Sequence, residues 1–316
     1  MYKEPLFLEP KLQERIWGGQ RLATEFGYTI PAKTTGECWG ISAHPNGASI
    51  VKNGVLAGKT LIEVWDKHRD LFGNNPSEQF PLLTKILDAK TDLSVQVHPD
   101  DQYARAVEHV PYGKTECWYV IDCEEGAEIV YGHNAKSPEE FRSLINAGQW
   151  DRLLRRVKVK SGDFFYVPSG TIHAIGGGIL ILESQQSSDI TYRVYDYDRT
   201  GEEGNRRELH IESSIQVAQY PHHSPELTYK IEQLSEGKVT EFVQAEYFTV
   251  ERWEARGCLE RKQDQSFLLV SVIDGEGTIM TDGHDNPIRK GDHFIIPATV
   301  EHIALSGQCD CIVSHP

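Results

Sequence analysis

One motif occurs twice in this chain, and the repetition restricts the folds open to it more than any other feature. Lys160-Ser161-Gly162-Asp163-Phe164-Phe165-Tyr166-Val167-Pro168 is followed five residues later by His173, and Arg289-Lys290-Gly291-Asp292-His293-Phe294-Ile295-Ile296-Pro297 is followed five residues later by His302. Each copy supplies a glycine for a tight turn, a short apolar strand, and a proline that ends strand pairing before a second turn. One β unit is therefore used twice. The runs LSVQVHP, ECWYVI, EIVYG, DFFYVP, GILILES and ITYRVYDYD are rich in β-branched and aromatic residues and bounded by Gly, Pro or Asp. Strands this short and numerous imply a sandwich or barrel. The expected organisation is mainly β, with a first unit over 1–237 and a shorter second unit over 238–316. Within the first unit, helical character appears over 59–72 and over 138–157, the latter opened by Ser137 as N-cap, Pro138 and Glu140 and interrupted near Gly148. A polar connection with room for one helix covers 199–237.

Composition narrows the partners. The 316 residues carry 32 Lys and Arg against 47 Asp and Glu, a net charge of −15 that repels nucleic-acid phosphates and anionic membrane surfaces alike. No stretch approaches the roughly 20 apolar residues that span a bilayer, and the N-terminal segment MYKEPLFLEPKLQERIWGG has no apolar run of the secretory kind. The expected partner is a small molecule, with neither nucleic acid nor membrane, and the expected compartment is the cytoplasm. Six cysteines are too few for a disulfide scaffold, and Cys309 and Cys311 are expected to be inert buried thiols.

The chemistry concentrates in three places. In Leu93-Ser94-Val95-Gln96-Val97-His98-Pro99 the strand period puts Gln96 and His98 on one face, where polar side chains inside a small barrel need a reason. Glu116 opens the next strand, and His173 follows Pro168-Ser169-Gly170-Thr171-Ile172. Two imidazoles, a carboxylate and an amide oxygen form a ligand set for a divalent transition metal, Zn2+ first, with a position left open for water or substrate. Taken singly, each of these residues is ordinary.

The spacing of Gly162, Pro168, Gly170 and His173 resembles the second cupin motif, and Gln96-Val97-His98 with Glu116 resembles the first, with Gln in place of a His and an insertion before the Glu. Around them stand GECWGISAHPNG from Gly36, FPLLTKILDAK from Phe80, GKTECWYV from Gly113 and PSGTIHAIGGGILILESQQSSDITYRVYDYDR from Pro168. Together, from about residue 5 to the C-terminus, they resemble the type I mannose-6-phosphate isomerases in their shorter bacterial form. That resemblance implies a bicupin fold, one Zn2+ per chain on Gln96, His98, Glu116 and His173, and interconversion of D-mannose 6-phosphate and D-fructose 6-phosphate. Gln96 either ligates directly or contacts a bound water. Arg193 falls on the family's arginine near the reacting carbons, and Lys114 on its lysine before the metal glutamate. Gly113 stands where longer members carry a histidine, so that histidine's role does not transfer. The second unit lacks the ligands, having no His over 261–267 and Thr299 in place of the motif glycine, and is expected to be a metal-free cupin in which His302 has no role.

Aldose–ketose isomerisation needs a base, an electrophile for the enediolate oxygens, and a cation for the phosphate. Lys85, Ser94, Thr171 and Glu183 are the candidate substrate contacts, with a lysine, a metal-bound water or Glu183 as the base. On spacing alone, Arg193 pairs with Asp189 or Asp196. Two other functions fit the same ligands: an Fe(II) cupin dioxygenase, and a sugar-binding bicupin whose metal is structural. An isomerase for another aldose phosphate would use the same site.

Overall fold

The structure is a computed structural model that describes residues 2–200 and 204–316, so residues 201–203 of the expected connection lie outside the described residues. Two antiparallel sheets build the barrel of the first unit. The first has six strands in the spatial order Phe164–Val167, Glu116–Cys123, Ile179–Gln186, Leu82–Ala89, Lys11–Gly19 and Thr35–Ile41. The second has five, in the order Tyr192–Tyr195, Val95–Val97, His173–Ile175, Glu128–His133 and Leu154–Lys158. Strands Leu82–Ala89 and Ile179–Gln186 are buried along their whole length, yet they carry Lys85, Asp88, Glu183 and Gln185. Buried strands are normally continuous apolar runs. Of these polar side chains, Lys85 and Glu183 face each other and line a cavity, whereas Asp88, on the opposite face of its strand, accepts from the Arg21 backbone N–H.

The remaining sheet has nine strands. Lys230–Leu234, Gly237–Gln244, Thr249–Lys262, His302–His315, Phe267–Thr281, His293–Pro297, Leu6–Glu9 and Ile50–Val51 follow in spatial order, with His284–Arg289 added to Phe267–Thr281. Its pairing crosses the expected boundary at both ends. The alternating Leu6 and Leu8 are buried, and Leu6 stands opposite Ile295, so a strand from the start of the chain completes the sheet of the second unit. One apolar core consequently spans both units, centred on Trp65, Phe72, Phe80 and Phe267, whose rings meet at centroid distances of 5.0 to 6.2 Å. Burying such aromatic side chains is worth roughly 2–3 kcal/mol each.

The repeated motif folds the same way twice. Gly162 and Gly291 both have positive φ, 89° and 94°, which an L side chain adopts at a cost. Asp163 and Asp292 each accept a hydrogen bond at 2.9 Å from the backbone N–H three residues earlier, on Lys160 and Arg289.

Helix boundaries differ from the expected ones. The first segment is an α-helix over Leu61–Lys67, opened by a Thr60–Glu63 capping box, and then a 3-10 turn over Arg69–Phe72. Helix Pro138–Asn146 begins with the Ser137 cap and is followed by a short helix Trp150–Leu153. The expected extension to residue 157 fails because Leu154–Lys158 pairs as a strand with Glu128–His133, placing Val157 opposite Ile129. The connection contains a helix over Ile211–Val217.

Candidate active site

Strand register assembles the candidate metal site. His173 faces Gln96 across one ladder, and Gln96 faces Arg193 across the next, so three side chains from separate segments stand in one row. Glu116 enters from the opposite sheet. His98 Nε2 lies 3.5 Å and His173 Nε2 3.3 Å from the two Glu116 oxygens, and the Gln96 amide stands 3.5 and 3.3 Å from the same two nitrogens. Donors held about 2.0–2.1 Å from a common ion in tetrahedral geometry stand roughly 3.3–3.4 Å apart. These separations fit such an ion.

The hydrogen bonds behind the donors point the same way. His98 Nδ1 lies 2.7 Å from the Ile190 carbonyl and His173 Nδ1 2.9 Å from the Thr171 carbonyl, so each ring donates from Nδ1 and presents an Nε2 lone pair to the centre. Both Glu116 oxygens are buried and neither is in hydrogen-bond geometry with any group. A buried carboxylate needs a cation: the Lys114 ammonium, 2.7 Å from Oε2, serves that oxygen, whereas Oε1 meets none among the described residues. The Gln96 amide, as placed, turns its nitrogen to the imidazoles; rotating it by half a turn presents Oε1 instead. Burial, reinforced by the nearby Lys114 ammonium, holds His98 well below the usual histidine range, and burial pushes His173 down to about 4. Both rings are thus neutral, the form that ligates metal.

A cavity of about 390 Å³ opens from this centre. Lys114 stands at its inner end, its ammonium 2.7 Å from Glu116 Oε2 and 3.2 Å from His98 Nε2. Burial alone would lower the Lys114 ammonium, but the Glu116 carboxylate outweighs it and the ammonium is held above its usual range. One row farther from the metal, Trp118, Glu183, Lys85 and Trp39 face one another across three ladders. The Trp118 indole donates to Glu183 Oε1 at 3.1 Å, Lys85 Nζ lies 3.5 Å from Glu183 Oε2, and the same ammonium sits 4.9 Å above the Trp39 ring. Burial and the Glu116 charge raise the Glu183 carboxyl above the usual range, with Lys114 and Lys85 pulling it back.

Of the candidate residues, Gln96, Glu116, His173, Lys114, Lys85, Ser94, Glu183 and Arg193 all line this one cavity, with His98 directly behind its metal end. Thr171 does not line it. Its side chain is buried beneath His173, and its contribution is the carbonyl that orients that ring. Arg193 forms no ion pair among the described residues: its Nη1 donates to the Glu208 carbonyl, its Nε is buried without a partner, Asp196 is taken by Arg199 and Arg207, and Asp189 accepts from Asn46. The spacing-only expectation for Arg193 is therefore corrected. Sequence reasoning passed over Arg15, Glu37, Trp39, Trp118 and Arg207, which line the same cavity. Their signal was weak: Gln13, Arg15 and Trp17 alternate on one strand, as Glu37 and Trp39 do on another, and nothing local says which face of either strand is lined by a cavity.

Comparison with known proteins agrees with this geometry. Residues 6–130 match the family described as phosphomannose isomerase type I, catalytic domain, and residues 238–316 match the family described as mannose-6-phosphate isomerase, cupin domain. The chain is 54% identical over 315 residues to mannose-6-phosphate isomerase ManA of Bacillus subtilis (strain 168), covering 100% of both chains. It is 54% identical over 315 residues to a mannose-6-phosphate isomerase of Streptococcus mutans, covering 99% of this chain and 98% of the other. The crystal structure of the mannose 6-phosphate isomerase from Bacillus subtilis superimposes with a TM-score of 0.97 at 52% identity, covering 99% of each chain.

Proposed function

This chain belongs to the type I phosphomannose isomerases, and from that premise we propose that it interconverts D-mannose 6-phosphate and D-fructose 6-phosphate with one Zn2+ per chain, held by Gln96, His98, Glu116 and His173. The observation that carries the reading is the convergence of His98, Glu116 and His173, all buried, with ligand atoms within 4.8 Å of one another at the end of a cavity lined by cations. The dioxygenase and the non-catalytic sugar-binding readings are not favoured by the family.

A divalent ion at this position supplies a Lewis acid and a template for the sugar oxygens near the reacting carbons. The side chains have separate tasks. Glu183, with its carboxyl raised above its usual range, takes the proton from C2 of the aldose and returns it to C1, while the O2 hydroxyl proton passes to O1, so that an enediolate stands between the two transfers. The Trp118 indole fixes the carboxylate's orientation. Arg193 stands in the Gln96 row and lines the cavity, and with Lys114 it holds the negative charge that develops on O1 and O2. Lys85, one row out, binds the phosphate with Ser94, which lines the same cavity. The cytoplasm is the proposed compartment, which six unpaired cysteines fit; among the described residues no helix is long and apolar enough to cross a membrane.

A coupled isomerase assay with metal analysis tests this reading. His98→Ala should lose both bound metal and turnover, whereas Arg193→Ala should keep the metal and lose about 100-fold or more in kcat. Full activity in His98→Ala contradicts the metal assignment. Oxygen uptake with no isomerisation contradicts the function.

A further inference from the structure

Arg15 belongs to none of the motifs, yet it enters the cavity beside Glu37, and the register of three strands shows what the pair can do. Across the ladder between Thr35–Ile41 and Leu82–Ala89, Trp39 stands opposite Lys85 and Glu37 opposite Leu87. Glu37 is thus the diagonal neighbour of Lys85 on the cavity face, a separation that long side chains bridge. On the other side Glu183 stands directly opposite Lys85. The Lys85 stem therefore has two carboxylates within reach, and an ammonium clamped between two carboxylates has few donors left for a phosphate.

Only Glu183 is in direct ion-pair contact with it, although the Lys85 charge is felt at Glu37 and, with Arg15, holds that carboxyl low against its burial. Glu37 is buried, and its oxygens accept from Arg15 Nε and Nη2 at 3.0 Å each, while the Trp39 indole donates to Oε2 at 2.6 Å. This is a bidentate fork, the geometry in which Arg binds a carboxylate most firmly and which Lys cannot reproduce. Glu37 makes no ion pair with Lys85 among the described residues; the Lys85 ion pair is to Glu183, at a long 3.5 Å. Removing the Arg15 guanidinium would leave Glu37 as a buried charge beside Lys85, a situation costly enough to force a new pairing.

We propose that Arg15 is a positioning residue: by holding Glu37 in a bidentate pair it keeps that carboxylate off Lys85, so that the Lys85 ammonium stays directed at the phosphate of the substrate. The inference rests on the reading above that Lys85 binds the phosphate. It assigns Glu37 a second task, since the same oxygen that accepts from Arg15 also fixes the indole on which Lys85 rests.

A double-mutant cycle in the coupled isomerase assay tests it, with melting temperature recorded for each protein. Arg15→Met should raise KM for mannose 6-phosphate about ten-fold with kcat within about two-fold, because uniform binding is lost and not transition-state stabilisation. Adding Glu37→Gln, which removes the competing charge but keeps an acceptor for the indole, should recover most of that loss. In a Lys85→Met background, Arg15→Met should add nothing. Arg15→Lys, which keeps a charge but lacks the fork, should fall between wild type and Arg15→Met, and it carries the test if Arg15→Met does not fold. A double variant as poor as Arg15→Met, or an undiminished effect in the Lys85→Met background, overturns the inference and shows that Arg15 acts on its own. An unchanged KM in Lys85→Met instead overturns the phosphate assignment on which the inference rests.

Discussion

At Glu183, opposing influences meet on one carboxyl: burial and Glu116 raise it, Lys114 and Lys85 lower it, and the balance leaves it above its usual range. As a base it must be ionised, so turnover should decline as pH falls through this raised value. Replacing it by Gln should cost about 10²–10⁴ in kcat and abolish that acid limb while leaving bound metal in place; kcat near the wild-type value would place the base elsewhere. Single residues were legible where motif spacing ties them together. His98, Glu116 and His173 could be singled out because strand period ties His98 to Gln96, Glu116 opens a strand, and turn glycines and a proline fix the place of His173. Arg15, Glu37 and Trp118 could not, because only the register between segments far apart in the chain brings them to one wall. Thr171 shows the converse: a residue inside a motif whose useful atom is its carbonyl.

The strand Thr35–Ile41 shows how an element serves two environments. Glu37 and Trp39 face the cavity, while Cys38 and Gly40 face the second unit, where the buried His293 ring receives them. His293 Nδ1 meets the Ser271 hydroxyl at 2.8 Å, and Nε2 meets the Tyr28 hydroxyl at 3.0 Å. A Cβ on residue 40 would come within 2.4 Å of that ring, so Gly40→Ala should destabilise the fold by about 1–3 kcal/mol in urea denaturation. An unchanged midpoint would mean that the ring can move aside. Short strands with turn residues at both ends were readable as elements. Leu154–Lys158 was not, because Leu154 and Val157 also continue the helical period of the preceding segment and only pairing with Glu128–His133 decides between the two.

Over the whole molecule, charge and titration work at different places. Five cations, Arg15, Lys85, Lys114, Arg193 and Arg207, line the cavity against four carboxylates, Glu37, Glu116, Glu183 and Asp189, a local excess of one positive charge in a chain of net −15. An anionic substrate is therefore compatible with an acidic protein, and raising salt should weaken its binding only modestly, since buried charges are poorly screened. The junction between units sets an acid limit on stability. Burial pushes His293 down to about 3 from an unperturbed 6.5, so the folded chain keeps the ring neutral while the unfolded chain protonates it. Its contribution is complete above pH 6.5 and is lost as pH falls from there toward 3. His293→Gln should therefore show an unfolding free energy that drops less steeply across that window, by about 1.4 kcal/mol per pH unit; parallel curves would show that the ring does not titrate on unfolding. The doubled β unit was legible from its repeated turn and strand, whereas the exchange of Leu6–Glu9 into the far sheet was not, because nothing in a four-residue apolar strand names its partner. The central claim is that turnover depends on a metal held by His98, Glu116 and His173. Its most direct test is a coupled isomerase assay on chelated protein titrated with Zn2+. Activity should be absent after chelation and return in proportion to added metal, saturating at one equivalent per chain, whereas full turnover by metal-stripped protein would contradict the account.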